Sequence, residues 1–206
     1  MRRELVTLEQ VSFKKLASLS MRQGLRYRPT WRHDLIKRTK DDIMIYKVEG
    51  DILLSRAQAI AHGVGINDPM DKGLALELRT RHPAMHKDFE RWCHQHNTKL
   101  GEAWMWAGPD NVRIVNLITL EGMDSHEHRH GKATLNNVRH ALSALVKIVN
   151  AEKLASIALP KLATGVGDLD WDDVCPLIEN SLGALDIPVY VYAVYHPDQT
   201  ADEPGV

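Results

Sequence analysis

From about position 43 onward the chain alternates between two hydrophobic rhythms. Short blocks dense in β-branched and aromatic residues predict strands over 43–48, 57–64, 103–106, 112–118, 156–159 and 189–195. Between them, apolar residues recur every three to four positions and predict helices over 73–82, 83–94, 134–150 and 171–185. The clearest is 134–150, where Leu135, Val138, Leu142, Leu145 and Val149 form one face and Thr134 can cap the first turn. Pro83 occupies a favoured first-turn position, and Pro176 is expected to sit near the first turn of the last helix. Strands alternating with helices predict an α/β fold, a three-layer α/β/α sandwich around a mixed central sheet. Ahead of it, residues 1–40 show partial helical periodicity to about Ser20. The expected organisation is an N-terminal extension over 1–40, the sandwich over 41–198 and a flexible tail over 199–206.

In sheets of this kind ligand chemistry gathers at the carboxyl ends of the strands, in the crevice between outgoing loops. Two loops qualify. One is GVGINDPMDK at 63–72, running into Gly73. The other lies within IALPKLATGVGDLDW at 157–171, where Gly165 and Gly167 flank Val166 before Asp170 and Trp171 open a helix. Strand, glycine turn and helix start can present backbone N–H groups to a phosphate. Alternate glycines also remove the side chains that would hold an anion away. Asp170 reads as the helix N-cap.

Composition narrows the class. A hydrophobic fraction of 44% and a charged fraction of 26% are those of a globular protein. The longest apolar runs fall well short of the ~18 residues of a membrane span, so no membrane partner is expected. The first residues lack the apolar core of a secretory signal. Cys93 and Cys175 are far apart and read as reduced thiols, which points to the cytoplasm. Charge is unevenly spread. Residues 1–40 carry 11 Lys and Arg against 3 Asp and Glu, a formal +8; the remaining 15 basic and 24 acidic side chains give −9. The basic arm, with Tyr27 and Trp31 among its arginines, suits nucleic acid. It suits equally well docking on an acidic protein surface.

Taken in order, several pieces of the chain resemble the macrodomain family of ADP-ribose-binding and ADP-ribose-processing modules. They are Gly50-Asp51-Ile52 after the first strand, AIAHGVG at 59–65, MDKGLALEL at 70–78, VNLIT at 115–119, ALPKLATGVGDLDW at 158–171 and VYVYAV at 189–194. The likeness is nearest to the branch holding terminal-ADP-ribose protein glycohydrolase and the DNA ADP-ribosyl glycohydrolase antitoxins. It implies ADP-ribose as ligand or product, an ADP-ribosylated DNA or protein, or ADP-ribose-1''-phosphate, as substrate, and no required cofactor. It also implies roles. Asp51, with Ile52 beside it, would accept from the adenine amino group; Tyr192 would stack on the base, with Tyr195 the alternative and sheet packing open for both. The amides of Thr164, Gly165, Val166, Gly167 and Asp168, with Leu169 adjoining, would hold the diphosphate. Gly73, Leu74 and Ala75 would line the opposite wall, and the loop carrying Gly63, Val64, Asn67 and Lys72 would surround the distal ribose.

The catalytic region departs from the family pattern. That branch carries a lysine nucleophile after the LIT-like strand, where this chain has Leu120, and a partner aspartate at the position of Gly167. Asp168 stands one residue away, so it either recovers the function or faces solvent. A lysine-free route would activate water through Asp168 or His62. His62 at a strand end reads either as that acid or base or as a histidine satisfied by the backbone. His126, His128 and His130 alternate, but no partner set supports a metal site, and a polar loop near the cleft is expected there. Trp104 and Trp106 read as sheet-face packing. An enzyme, a non-catalytic ADP-ribose reader and a nucleic-acid-targeted module all remain compatible with these residues.

Overall fold

Six strands form one sheet in the order β1-β6-β5-β2-β4-β3 in the computed structural model, which describes residues 44–122 and 131–206. The strands are β1 (Ile45–Gly50), β2 (Ala59–Gly65), β3 (Ala103–Ala107), β4 (Arg113–Leu120), β5 (Ile157–Pro160) and β6 (Val189–Tyr195). Neighbours from β1 to β4 pair in parallel, and β3 pairs antiparallel along the outer edge of β4. The helices are α1 (Gly73–Arg81), α2 (Pro83–His96), α3 (Leu135–Glu152) and α4 (Trp171–Leu182). The mixed sheet between two helical layers is the expected sandwich. The basic arm and the 126–130 histidines lie outside the described residues, and so do the nucleic-acid and metal readings that rest on them.

Side-chain alternation along the central strands separates the two layers. From β2 and β4, Val64, Ile114 and Ile118 pack with Leu78 of α1 and with Met85 and Phe89 of α2. Ala61, Val115 and Leu117 face the other way, against Val138, Leu142 and Leu145 of α3 and Val174 and Ile178 of α4. From Ile114 to Leu120 every residue of β4 is buried, as a parallel strand covered on both faces requires. Trp104 and Trp106 serve packing, as expected. Trp104 stacks near Trp92 and Phe89, and the Trp106 indole N–H donates to Asp88 at 3.1 Å.

Local chemistry sets the helix ends. The Thr134 side chain accepts from Asn137 N–H at 3.1 Å and starts α3, which stops at Lys153 in a left-handed conformation. Asp170 caps α4 by accepting from Asp172 N–H at 3.0 Å, as predicted. One expectation changes. Because α4 already begins at Trp171, Pro176 lies inside the helix rather than in its first turn. It sits on the exposed side, where water can satisfy the carbonyl its ring leaves without a partner.

The expected flexible tail over 199–206 is also corrected. Ala201 and Glu203 are buried, and Ala201 joins a cluster with Val48, Ile52, Tyr190 and Tyr192. Asp51 N–H donates to Gln199 O at 2.7 Å. This stretch is polar in sequence, but its backbone and one carboxylate find partners on the folded sheet that no local pattern announces. No helix among the described residues is long and apolar enough to cross a membrane.

Leu142 is fully buried between α3 and the sheet. Leu142→Ala is expected to lower stability by about 2–5 kcal/mol in chemical denaturation, because the close-packed face collapses only partly around the lost methyls.

Candidate functional site: a two-ended cleft at the strand carboxyl ends

A cleft runs across the carboxyl ends of the parallel strands. Its two ends share Gly73, Leu74 and Pro160 and differ in chemistry. The larger, about 430 Å³, is walled by Ile52, Leu53, Leu76, Tyr192 and Tyr195, with Asp51 and Glu77 as its charged residues. The smaller, about 230 Å³, is glycine-rich and carries Lys72, Lys161, Asp68, His62 and Thr119.

In the larger end Asp51 is only 3% exposed. Its carboxylate accepts from Leu53 N–H at 2.9 Å, capping a short 3-10 turn, and from Asp198 N–H at 3.4 Å. Two carboxylate oxygens offer about four lone-pair sites, so capping leaves capacity for a donor from a ligand. Tyr192 is largely buried, and its hydroxyl donates to Glu203 Oε1 at 3.0 Å. Burial, then the nearby Glu203 and Asp51 carboxylates, push this phenol well above its ordinary value, so it stays an O–H donor. Tyr195 is 66% exposed and offers the open aromatic face.

The glycine turn of the smaller end is built differently at its two glycines. A Cβ at Gly165 would meet no atom within 4 Å, whereas one at Gly167 would meet Ala163 O at 2.4 Å and Ala133 Cβ at 3.0 Å. Gly165 therefore leaves room for a ligand, and Gly167 lets the loop fold on itself. The resemblance places an aspartate at Gly167, but the fold here has no space for its Cβ. The left-handed positions of the loop are Ala163, at φ 59°, and Asp168, at φ 57°. Aspartate tolerates that region better than most residues. Its side chain leaves the loop outward, 74% exposed, and pairs with Lys132 Nζ at 3.3 Å.

Beneath the loop, His62 is 1% exposed, and its Nε2 lies 2.8 Å from Asn116 Oδ1. Asn116 Nδ2 sits 3.7 Å from Met85 Sδ, an arrangement in which the amide oxygen faces the imidazole and Nε2 carries the proton. Burial pulls the imidazole down to about 4, against the smaller favourable effects of Asn116 and Asp68. His62 is thus neutral at physiological pH, with a buried Nδ1 that has no partner among the described residues. Thr119 Oγ1 is likewise buried, with no partner among the described residues. Asp68 is spoken for, because its two oxygens accept from Gly65 N–H and Met70 N–H, both at 2.7 Å. Lys161 follows β5 and lies over the Trp171 ring at 5.6 Å. Leu120, where the resemblance calls for lysine, is buried at the floor of this end.

Of the residues singled out from sequence, the cleft gathers Asp51, Ile52, His62, Gly63, Lys72, Gly73, Leu74, Ala75, Gly165, Val166, Gly167 and Tyr192. Five others stand elsewhere. Val64 is fully buried in the core beneath α1 and α2, because the strand's alternation turns it into the sheet. Asn67 is an exposed left-handed turn residue. Thr164, whose amide rather than its hydroxyl was the expected donor, does not line the cleft, and its hydroxyl donates to Lys161 O at 3.0 Å; Leu169 packs against the α3–α4 core. Asp168, offered as the group that activates water, takes the other expected course: it faces solvent and pairs with Lys132 outside the cleft. His62, offered as a general acid or base, is a neutral imidazole at neutral pH rather than an imidazolium acid; its Nε2–H is held by a side-chain amide rather than the backbone. Lys161, Asp68 and Thr119 were missed. Lys161 could have been found from its place directly after a parallel strand.

The Macro domain family matches residues 62–178. A curated relative from Mycobacterium bovis, named DNA ADP-ribosyl glycohydrolase, is 27% identical over 155 residues, covering 72% of this chain and 42% of its own length. The chain thus spans less than half of the curated relatives it matches. Among solved structures, the macrodomain of Thermus aquaticus DarG superposes with a TM-score of 0.64 at 27% identity, covering 73% of this chain and 98% of that one. Thermosipho africanus DarTG in complex with ADP-ribose shares the fold, with a TM-score of 0.65 at 22% identity, over 76% of this chain and 42% of that one.

Two expectations follow from the smaller end. Between pH 6.5 and about 4 the unfolded chain binds a proton at His62 that the folded ring refuses. Stability linked to this residue is therefore complete above pH 6.5 and falls with pH through that window, on the order of 1 kcal/mol per unit. Denaturant titrations of wild type and His62→Gln across the window should show the smaller pH slope in the variant. Thermal melts should also separate the glycines. Gly167→Ala is expected to cost about 1–3 kcal/mol through overpacking, and Gly165→Ala to stay within about 0.5 kcal/mol of wild type.

Proposed function

This chain belongs to the Macro domain family, and from that premise we propose that its cleft binds ADP-ribose and that the protein hydrolyses ADP-ribose linkages to another molecule. The observation that carries the reading is the division of one cleft into an aromatic, carboxylate-tipped end and a glycine-rich end with two lysines. A base fits the first, with Asp51 accepting from its amino group and Tyr195 or Tyr192 covering its face. A diphosphate fits the second, along the Gly165–Gly167 turn with Lys72 and Lys161 nearby. The distal ribose then falls over Gly63 and Thr119, close to His62. Relatives named DNA ADP-ribosyl glycohydrolase, and a related fold solved with ADP-ribose, support the hydrolase class.

In this reading the turn amides and the two lysines stabilise the diphosphate and orient the linkage, and water is the attacking group. ADP-ribosylated DNA is the first substrate to try, with ADP-ribosylated protein and ADP-ribose-1''-phosphate beside it. The unbridged Cys93 and Cys175 fit a cytoplasmic setting. A second reading, a reader without turnover, draws on three specific observations. They are Leu120 at the lysine position, a crowded Gly167, and Asp168 outside the cleft.

Isothermal titration should show ADP-ribose binding that Asp51→Ala weakens by about tenfold or more, the usual effect of removing a charged hydrogen-bond partner. Incubation with the three substrates should then release free ADP-ribose, or phosphate, from at least one. Binding without release from any of them selects the reader; absence of binding overturns both readings.

A further inference from the structure

Glu203 is a buried carboxylate, 3% exposed, that lies outside the cleft yet ties Tyr192 of its larger end to the Ser55–Arg56 turn. Its Oε1 accepts from Ser55 Oγ at 2.5 Å and from Tyr192 OH at 3.0 Å; its Oε2 accepts from Arg56 N–H at 2.8 Å. Burying a charge is costly unless it is fully hydrogen-bonded. Three donors meeting on one carboxylate make its position specific in a way an apolar cover would not be. The flanking backbone is tied down as well. Asp51 N–H donates to Gln199 O, Asp198 N–H to an Asp51 carboxylate oxygen, His196 N–H to Gly50 O, and Tyr190 OH to Pro204 O. The approach to Gly50 is close enough that a Cβ there would lie 2.7 Å from Gln199 O and 2.9 Å from Ala201 N. Asp51, Ile52 and Leu53, at the start of the 51–56 turn, and Tyr192 line the larger end, so residues 196–206 brace that wall from behind.

We propose that residues 196–206 form a strap that sets the geometry of the base-binding end, with Glu203 as the positioning residue that fixes Tyr192 and the Ser55–Arg56 turn. Glu203 spends its oxygens on the protein and does not reach the ligand; it acts through Tyr192 and, along the turn, through Asp51. The consequence is base discrimination. Asp51 can accept from the amino group of adenine but meets a carbonyl oxygen on hypoxanthine, so a well-held Asp51 separates the two bases and a loosened one does not. This inference rests on the reading of the larger end as a base site.

The test titrates the full chain with ADP-ribose and with inosine diphosphate ribose. Wild type should prefer the adenine ligand by about tenfold or more. Glu203→Ala should lower ADP-ribose affinity by about tenfold and reduce the preference to about threefold or less. Glu203→Gln should restore it, because the amide oxygen can accept from Arg56 N–H and the amide NH₂ can donate to the Ser55 and Tyr192 oxygens. A Glu203→Ala variant that keeps the wild-type preference, whether both affinities are unchanged or both fall equally, overturns the strap and leaves the nucleotide reading standing. A wild type that binds neither ligand overturns the nucleotide reading, and the strap with it. Should Glu203→Ala fail to fold, Ser55→Ala removes one donor from the same carboxylate. A reduced preference then supports the strap, and an unchanged one overturns it.

Discussion

Parallel pairing is the constraint on which the rest of this structure depends. A parallel strand of the same sheet cannot be reached by a tight hairpin, so the chain must cross over between β1 and β2, β2 and β4, β4 and β5, and β5 and β6. Every such crossover leaves from a carboxyl end. The outgoing loops of β1, β2, β4, β5 and β6 therefore converge on one edge, and the cleft is the space between them. The two helical layers follow from the same cause, because strands buried on both faces need cover on both.

Within that cleft, chemical polarity comes from which loop leaves which strand. The end near β1 and β6 receives the 51–56 turn and two tyrosines. The end near β2, β4 and β5 receives glycines, Lys72 and Lys161. The central strands also fix what their own side chains can do. His62 sits on a middle strand of the sheet, and burial keeps it neutral, tied to Asn116 on the neighbouring strand. Asp168 lies at the tip of the glycine loop, and a left-handed backbone sends it outward to Lys132. Of the two candidates, one is thus within the cleft as a neutral imidazole, and the other lies outside it.

Much of the framework was readable from local patterns. The 3.6-residue repeat of α3, the dense apolar runs of β4 and β6, the Thr134 and Asp170 caps and the glycine turn each follow from interactions spanning a few residues. Asp51, directly after β1, inherited its place from that grammar, and so did Gly63 near the end of β2. Val64 and Asn67 did not. One position beyond Gly63 the strand's alternation reverses direction, and the turn after it rotates Asn67 away. Lys161 went unnoticed because a lone lysine after a proline carries no pattern until the cleft around it is assembled.

The sequence by itself determined the layers, the order of elements and the site's edge of the sheet, because hydrophobic period and turn chemistry are local and repeated. Only the tertiary structure decided which of the candidate groups share the cleft. It decided that Gly167 is needed for the close approach of Ala163 and Ala133, that Asp168 faces Lys132, and that a polar segment over 196–206 binds the sheet through a buried Glu203. Those outcomes turn on contacts between residues far apart in the chain, about 150 positions in the case of Ser55 and Glu203. No local periodicity encodes such a contact, since it exists only once the parallel sheet has brought the two ends of the domain side by side.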